Sequence, residues 1–420
     1  MAEVEVVVAM GDEDVLAGRL WPHRARGTES ATFSYDSSYL ARSGAYELDP
    51  RLPLVGGPQQ TASGQATFGA FSDCAPDRWG RRLVQRRERR RAEAENRSTR
   101  SIGEIDYLLG VRDDMRQGAL RFRDPSTGTF LAQEREGVPD LIELPRLLDA
   151  AERLERDEAA EPDLEALFHG GSSLGGARPK AHVRGRDGRV AIAKFPSESG
   201  DDWDVMSWES VALSLAGLAG ITVPPFSLHQ IAGKSVLIVD RFDRQGGRRI
   251  GYVSAMTMLE AVDGVEGSYL EIADVIERQS VRTSADLAEL WRRVAFSILI
   301  SNTDDHLRNH GFLRVSSAGW SLSPAFDLNP NPQPGPKFLT TAVDVGDTAA
   351  SIEALIEVAP FFRLDRREAA GILSEVERAR AQWRQAAARA GLGRGEIEAM
   401  APAFEHDQVD AAQRQIAAVP

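Results

Sequence analysis

The stretch "GGSSLGGARPKAHVRGRDGRVAIAKFP", residues 170–196, decides the fold. A turn rich in glycine and serine runs into the strand-like "KAHVR", then the hairpin signal "GRDG", then a second strand-like run, "RVAIAKF". A helical pattern, "WESVALSLAGLAGI" (208–221), comes next, and then strands around "PPFSLHQIAGKSVLIVDRFDR" (224–244). From Gly170 onward the texture is that of an α/β unit.

Upstream, the first 60 residues alternate short apolar runs with turns. Period-2 patterning in "EVEVVVA" and "TFSY" predicts strands of a small β-rich unit. After "FGAFSDCAPDRWG" a helix is expected over "RRLVQRRERRRAEAENR". Between Arg78 and Arg100 stand ten arginines and three glutamates. Clustered guanidinium groups bind phosphates, but a charge run is also the ordinary dress of a solvated helix face. Residues 139–168 read as helical and acidic, linking the N-terminal unit to the α/β unit. Downstream the chain is mostly helical. "LAELWRRVAFSILI" leads into "ISNTDDHLRNHGFL" (300–313), and a later helix starts near Asp365, with Glu368 as in a capping box, and runs to Gly391. Its apolar positions Ile372, Val376, Ala379 and Trp383 read as core. The expectation is an α+β chain: a β-rich unit with the arginine helix over 1–135, a kinase-like small lobe over 136–241 and a helical large lobe over 242–420.

Hydrophobic residues make up 42% and charged ones 27% of the 420, ordinary values for a globular protein. No apolar run reaches membrane-spanning length, and the first residues carry acids where a signal peptide carries Lys or Arg, so a cytoplasmic location is expected. The single Cys74 excludes a disulfide framework within one chain. A net charge of −13 argues against a general nucleic-acid coat.

Phosphoryl transfer asks for a lysine on the phosphates, oxygen ligands for magnesium and a carboxylate beside the accepting hydroxyl. Lys194 ends the lysine-bearing strand, and Glu209 on the next helix is placed to hold it by an ion pair, with Glu198 as a competitor. Asp304 and Asn309 have the Asp-x-x-x-x-Asn spacing of kinase catalytic loops. Asp327 in "LSPAFDLNP" stands where a second magnesium ligand is expected. The same polar segment also reads as a turn cluster, and spacing alone leaves both readings open. Asp305 is a supporting or substrate-side residue, His306 an orienting one, and Asn302 and His310 hold the turn. His306 and His310 are four apart, yet no zinc-type third ligand lies between them. The glycine loop matches neither common phosphate-loop motif.

Taken in order, "SSLGGARPKAHV", "AIAKFP", "VDRFDR", "NTDDHLRNHGFL" and "LSPAFDLNP" resemble the HipA family of serine/threonine-protein kinases, toxins of bacterial type II toxin–antitoxin modules. "FSDCAPDRWGRRL" and "DDMRQGALRF" resemble that family's N-terminal region, and the likeness runs over roughly residues 5–385. It implies Asp304 as catalytic aspartate, Asn309 and Asp327 as Mg²⁺ ligands and Lys194 on the ATP phosphates. Adenine would be held by the hinge Asp240, Arg241 and Phe242. Residues 174–180, with Gly175, Gly176, Ala177 and Lys180, fall at the loop that closes on ATP. Ser173, with Ser172 beside it, falls at the serine the family autophosphorylates. A phosphate's roughly two negative charges there would disfavour the closed loop. The likeness further implies a small DNA-binding helix-turn-helix antitoxin, DNA contact through that complex, and a protein substrate among aminoacyl-tRNA synthetases or other translation factors. The chain departs from eukaryotic kinases, with "NTDD" and "FDLN" in place of His-Arg-Asp and Asp-Phe-Gly. Two other readings are a small-molecule kinase of the aminoglycoside or choline type, and a non-catalytic regulator that uses the arginine helix to hold DNA.

Overall fold

A computed structural model describes residues 3–25, 27–132, 139–169, 178–185, 188–197 and 200–419. The early alternation folds as β1 (Val4–Met10), β2 (Glu13–Ala25) and β3 (Thr28–Tyr35), joined by β4 (Gln59–Gln60) and β5 (Leu120–Arg123). These five form one antiparallel sheet in the order β4-β3-β2-β1-β5. Its inner residues Val6, Leu20, Phe33 and Phe122 are buried, and Phe71 packs edge-on against both Phe33 and Phe122, with centroids 5.8 and 5.7 Å away.

Helix α1 (Arg78–Ala94) carries the arginine run. It begins where the Asp77 carboxylate accepts from the Gly80 N–H, which satisfies one otherwise orphaned helix donor. The structure gives several of the arginines local work. Arg81 pairs with Glu104, Arg86 with Asp157, Arg97 with Glu88, and Arg87 lies over the Phe168 ring. Arg78, Arg82 and Arg89 remain exposed. After α2 (Glu104–Gly110), the acidic segment forms α3 (Leu144–Glu155) and α4 (Glu161–His169), separated at Asp157, whose φ is +65°.

Strands β6 (Lys180–Arg184), β7 (Val190–Lys194), β8 (Phe226–Ile231) and β9 (Lys234–Asp240), with helix α5 (Val205–Leu218), build the small lobe. The sheet is antiparallel, ordered β6-β7-β9-β8. Its β6–β7 turn closes by Gly185 N–H donating to Arg189 O, with Gly188 at φ +78°, a backbone state that suits glycine. Ala181, Ala193, Phe195, Val236 and Ile238 from this sheet share a core with Trp79 and Leu83 of α1 and with Leu147 and Leu164. The arginine helix therefore seals one face of the small-lobe sheet with its apolar side.

The large lobe begins with β10 (Tyr252–Ser254), α6 (Tyr269–Gln279) and α7 (Thr283–Leu299), then β11 (Gly311–Ser316) and β12 (Gly319–Leu322). Helices α8 (Arg366–Arg380), α9 (Trp383–Arg389), α10 (Arg394–Phe404) and α11 (Asp407–Ala417) complete it. The capping box at Asp365 and Glu368 is present. The helix expected to run to Gly391 is interrupted at Ala381–Gln382, and the break lets Trp383 stack on Phe404 at 4.7 Å while touching Trp208 of α5 at 6.2 Å. Val376, Ala379 and Trp383 are buried as expected, and Ile372 packs against them half-buried. Among the described residues, no helix is long and apolar enough to cross a membrane.

Candidate active site

Three elements bring the site together. Lys194 sits at the end of β7, an interior strand whose alternate residues Ala191 and Ala193 point into the small-lobe core. Its side chain thus emerges on the opposite face. Glu209 lies on α5, which starts at Asp204, where the carboxylate accepts from the Ser207 N–H. Asp327 lies beyond β12 in the left-handed region, φ +61°, a conformation aspartate tolerates better than most residues.

The Lys194 ammonium donates to Glu209 Oε1 at 2.6 Å and to Asp327 Oδ1 at 3.0 Å. It therefore ties together residues 133 positions apart in the chain. Burial works against the charge on Lys194, but Asp327 and Glu209 more than offset it and raise its pKa. Burial likewise opposes ionisation of Asp327. Lys194, Lys180 and His306 nevertheless hold that carboxyl well below its usual range. The site contains an ammonium held between two carboxylates, although burial raises the Glu209 pKa, so its charged and polar groups are already positioned relative to one another.

The loop from Ser301 to Asn309 hangs from the end of α7. Asp304 is exposed. Its pKa is raised by partial burial and by the charges of Asp327 and Asp305, against the pull of His306 and Arg178. Asn309 Nδ2 donates to the Asp304 carbonyl at 3.1 Å, which leaves its Oδ1 as the amide atom able to meet a cation. Asp305 points the other way. Buried, it accepts from Tyr269 Oη at 2.6 Å and Ser297 Oγ at 3.1 Å, and His310 Nε2 stands 3.0 Å away. The two neighbouring aspartates thus divide into one facing solvent and one anchoring the loop. Asn302 supports the same turn, with its Oδ1 accepting from the Asn329 N–H at 3.1 Å. His306 is half-buried, and its Nδ1 is enclosed without a partner among the described residues.

The donors present suit magnesium. Asp327 and Asn309 would offer a divalent cation hard oxygens of the kind magnesium prefers. Among the described residues, no three of His, Cys, Asp or Glu converge as they would around a fully protein-bound metal. Asn329 Oδ1, two residues past Asp327, is buried with no hydrogen-bond partner among the described residues, an orphaned acceptor beside the carboxylate that a cation would satisfy. Sequence reasoning missed Asn329, although "FDLN" carried the signal.

Lys180 lies directly across the β6–β7 ladder from Lys194 and pairs with Asp77 at 2.7 Å. At the hinge, Asp240 N–H donates to Pro225 O and Arg241 N–H to Val190 O, so the sheet already uses both donors. The Arg241 side chain turns away from the cleft into a buried knot. There it meets Asp243 Oδ2 at 2.6 Å, the Met115 carbonyl at 2.7 Å and His182 at 3.0 Å. Phe242 packs on Phe326, next to Asp327, with centroids 5.6 Å apart. Ser172, Ser173, Gly175, Gly176, Ala177 and Glu198 lie outside the described residues.

Comparison with known proteins identifies relatives of this chain and its family. Two Sinorhizobium fredii proteins, "Putative kinase Y4dM" and "Putative kinase Y4mE", are 30% and 25% identical over 127 and 182 residues. These segments are 30% and 37% of this chain and span 30% and 41% of those proteins. The HipA chain from the Shewanella oneidensis complex of HipA, HipB and operator DNA shares the fold, with a TM-score of 0.61 at 16% identity over 99% of this chain and 96% of its own. The family model for the HipA N-terminal domain matches residues 8–103, and that for the HipA-like C-terminal domain matches residues 172–383. The chain belongs to the HipA-like family.

Proposed function

We propose that this chain is an ATP- and Mg²⁺-dependent serine/threonine protein kinase that acts as a growth-arresting toxin. The observation that carries the reading is the Lys194 ammonium held between Glu209 and Asp327, with the Asp304–Asn309 loop beside them. When bound, ATP with Mg²⁺ supplies the transferable phosphoryl group and neutralises its charge.

The residues divide the remaining work. Lys194, aimed by Glu209, binds phosphate oxygens, and Lys180 adds a second cation on the same face. Asp327 and Asn309 offer the cation oxygens. Asp304 orients the acceptor hydroxyl and takes its proton, a role its exposure and raised pKa support. The backbone at Asp240 to Phe242 is the adenine side of the cleft, and among the described residues the Phe242 N–H is its donor not engaged by the sheet. A protein hydroxyl is the acceptor favoured here over a small molecule, because a β-rich unit fills the chain ahead of the kinase lobes. A small DNA-binding antitoxin is the proposed partner. The exposed Arg78, Arg82 and Arg89 provide a basic face suited to phosphates of DNA which that partner would hold.

Transfer of labelled γ-phosphate tests the reading. Asp304→Asn should lower incorporation by about 10²-fold or more, the usual scale for losing a general base. Equal labelling by both proteins would remove Asp304 from the chemistry. Mass spectrometry of the wild type should place self-modification at Ser172 or Ser173.

A further inference from the structure

We infer that Asp77, which lies outside both kinase lobes at the head of the arginine helix, is a positioning residue that sets Lys180 beside Lys194 to receive a triphosphate. The inference rests on the nucleotide reading of the site and adds to it a residue from the N-terminal region.

Residues directly opposite in an antiparallel ladder project to the same face, with Cβ atoms about 5 Å apart. Lys180 and Lys194 are such a pair. Two ammonium groups so placed repel each other unless each has an anion of its own. Lys194 has Glu209 and Asp327. Lys180 has Asp77 Oδ2 at 2.7 Å, with the two side chains only 7% and 4% exposed. Asp77 cannot swing, because its Oδ1 accepts from the Gly80 N–H at 2.7 Å and caps α1. The strand is fixed from the same helix, since Trp79 Nε1 donates to the Lys180 carbonyl at 3.1 Å. Each lysine is therefore aimed by a carboxylate borne on a helix, Glu209 from α5 for one and Asp77 at the start of α1 for the other. Two tethered cations on one wall match a polyphosphate rather than a single carboxylate.

Asp77→Asn separates the two duties of this side chain. Asparagine is as good a helix cap as aspartate, so α1 keeps its first turn while Lys180 loses its counter-charge. Calorimetric titration of the full chain with ATP in Mg²⁺, and separately with adenosine, reads the outcome. ATP affinity should fall about thirtyfold, the lower end for losing one partner of a buried charge pair, while adenosine affinity stays level. In a Lys180→Met background, Asp77→Asn should change ATP affinity no further. Asp77→Ser, which also caps, should behave as Asp77→Asn does.

Unchanged or tighter ATP binding by Asp77→Asn would overturn the inference alone. Parallel loss of ATP and adenosine binding in both Asp77 variants would also overturn it, by showing a structural role only. Failure of the wild type to bind ATP would instead overturn the nucleotide reading, and this inference with it.

Discussion

At the residue scale, two adjacent aspartates with opposite fates show how the loop is tuned. Asp305, held by Tyr269 and Ser297 and facing His310, lies below the ordinary carboxylate range although burial pushes the other way. Asp304, raised by its partial burial and then by the charges of Asp327 and Asp305, lies above it. A general base must be ionised to work. The acid limb of a rate–pH profile should therefore lie above the ordinary aspartate value of about 4, with activity rising as pH climbs through the raised Asp304 pKa. Initial rates of phosphate transfer between pH 4 and 8 would measure it, and a limb at or below the ordinary value would contradict the assignment. Lys194, Asp304, Asn309 and Asp327 could be singled out in the sequence because phosphoryl transfer asks for those residue types in that order, and the structure brings Lys194 against Asp327 and Asn309 against the Asp304 carbonyl. Asp77 and Tyr269 could not, because their partners stand 103 and 36 positions away, and a linear reading has no access to such contacts.

At the element scale, local signals were read well where one face of an element was buried. The strands of the first sheet, β6, β7 and the capped start of α8 follow from periodicity and capping chemistry. The interruption after Arg380 was hidden, because "RAQWRQ" is sound helical sequence and the break is imposed by tertiary packing. Arg380 is buried and donates to the Phe404 carbonyl, while Trp383 finds its stack on Phe404 only by leaving the line of α8. That stack sits in a close-packed core. Trp383→Ala should cost about 3–5 kcal/mol of stability, visible as a lowered midpoint in urea unfolding.

At the scale of the whole molecule, two cores meet around the hinge. One runs from the N-terminal sheet through α5 into the large lobe, and the other lies between the small-lobe sheet and α1, α3 and α4. Between them, Asp243 is buried and accepts from Gly118 N–H at 2.8 Å, from Arg241 and from Arg244. Burial opposes its charge, but Arg241 and Arg244 hold its pKa far below the ordinary value, while burial lowers Arg244 to about 9. Removing one partner of such a knot leaves buried charge uncompensated. Asp243→Asn should therefore destabilise the chain by about 3–5 kcal/mol at neutral pH. A carboxylate with a depressed folded pKa contributes its full share above its unfolded value and loses it as pH falls through the folded one. The gap between wild type and variant should therefore narrow in strong acid, as chemical denaturation across pH would show. None of this knot was visible in "VDRFDR", where the sequence suggested a hinge and the structure adds a rivet to the N-terminal unit.

The aromatic stack of Trp208, Trp383 and Phe404 has one more consequence, because Trp208 precedes Glu209 on α5. In a kinase whose glutamate-bearing helix pivots freely, swinging that helix out breaks the lysine pair and switches the enzyme off. Here the C-terminal helices hold the turn next to Glu209, so an outward swing of α5 would have to part three packed rings as well as the Lys194–Glu209 pair.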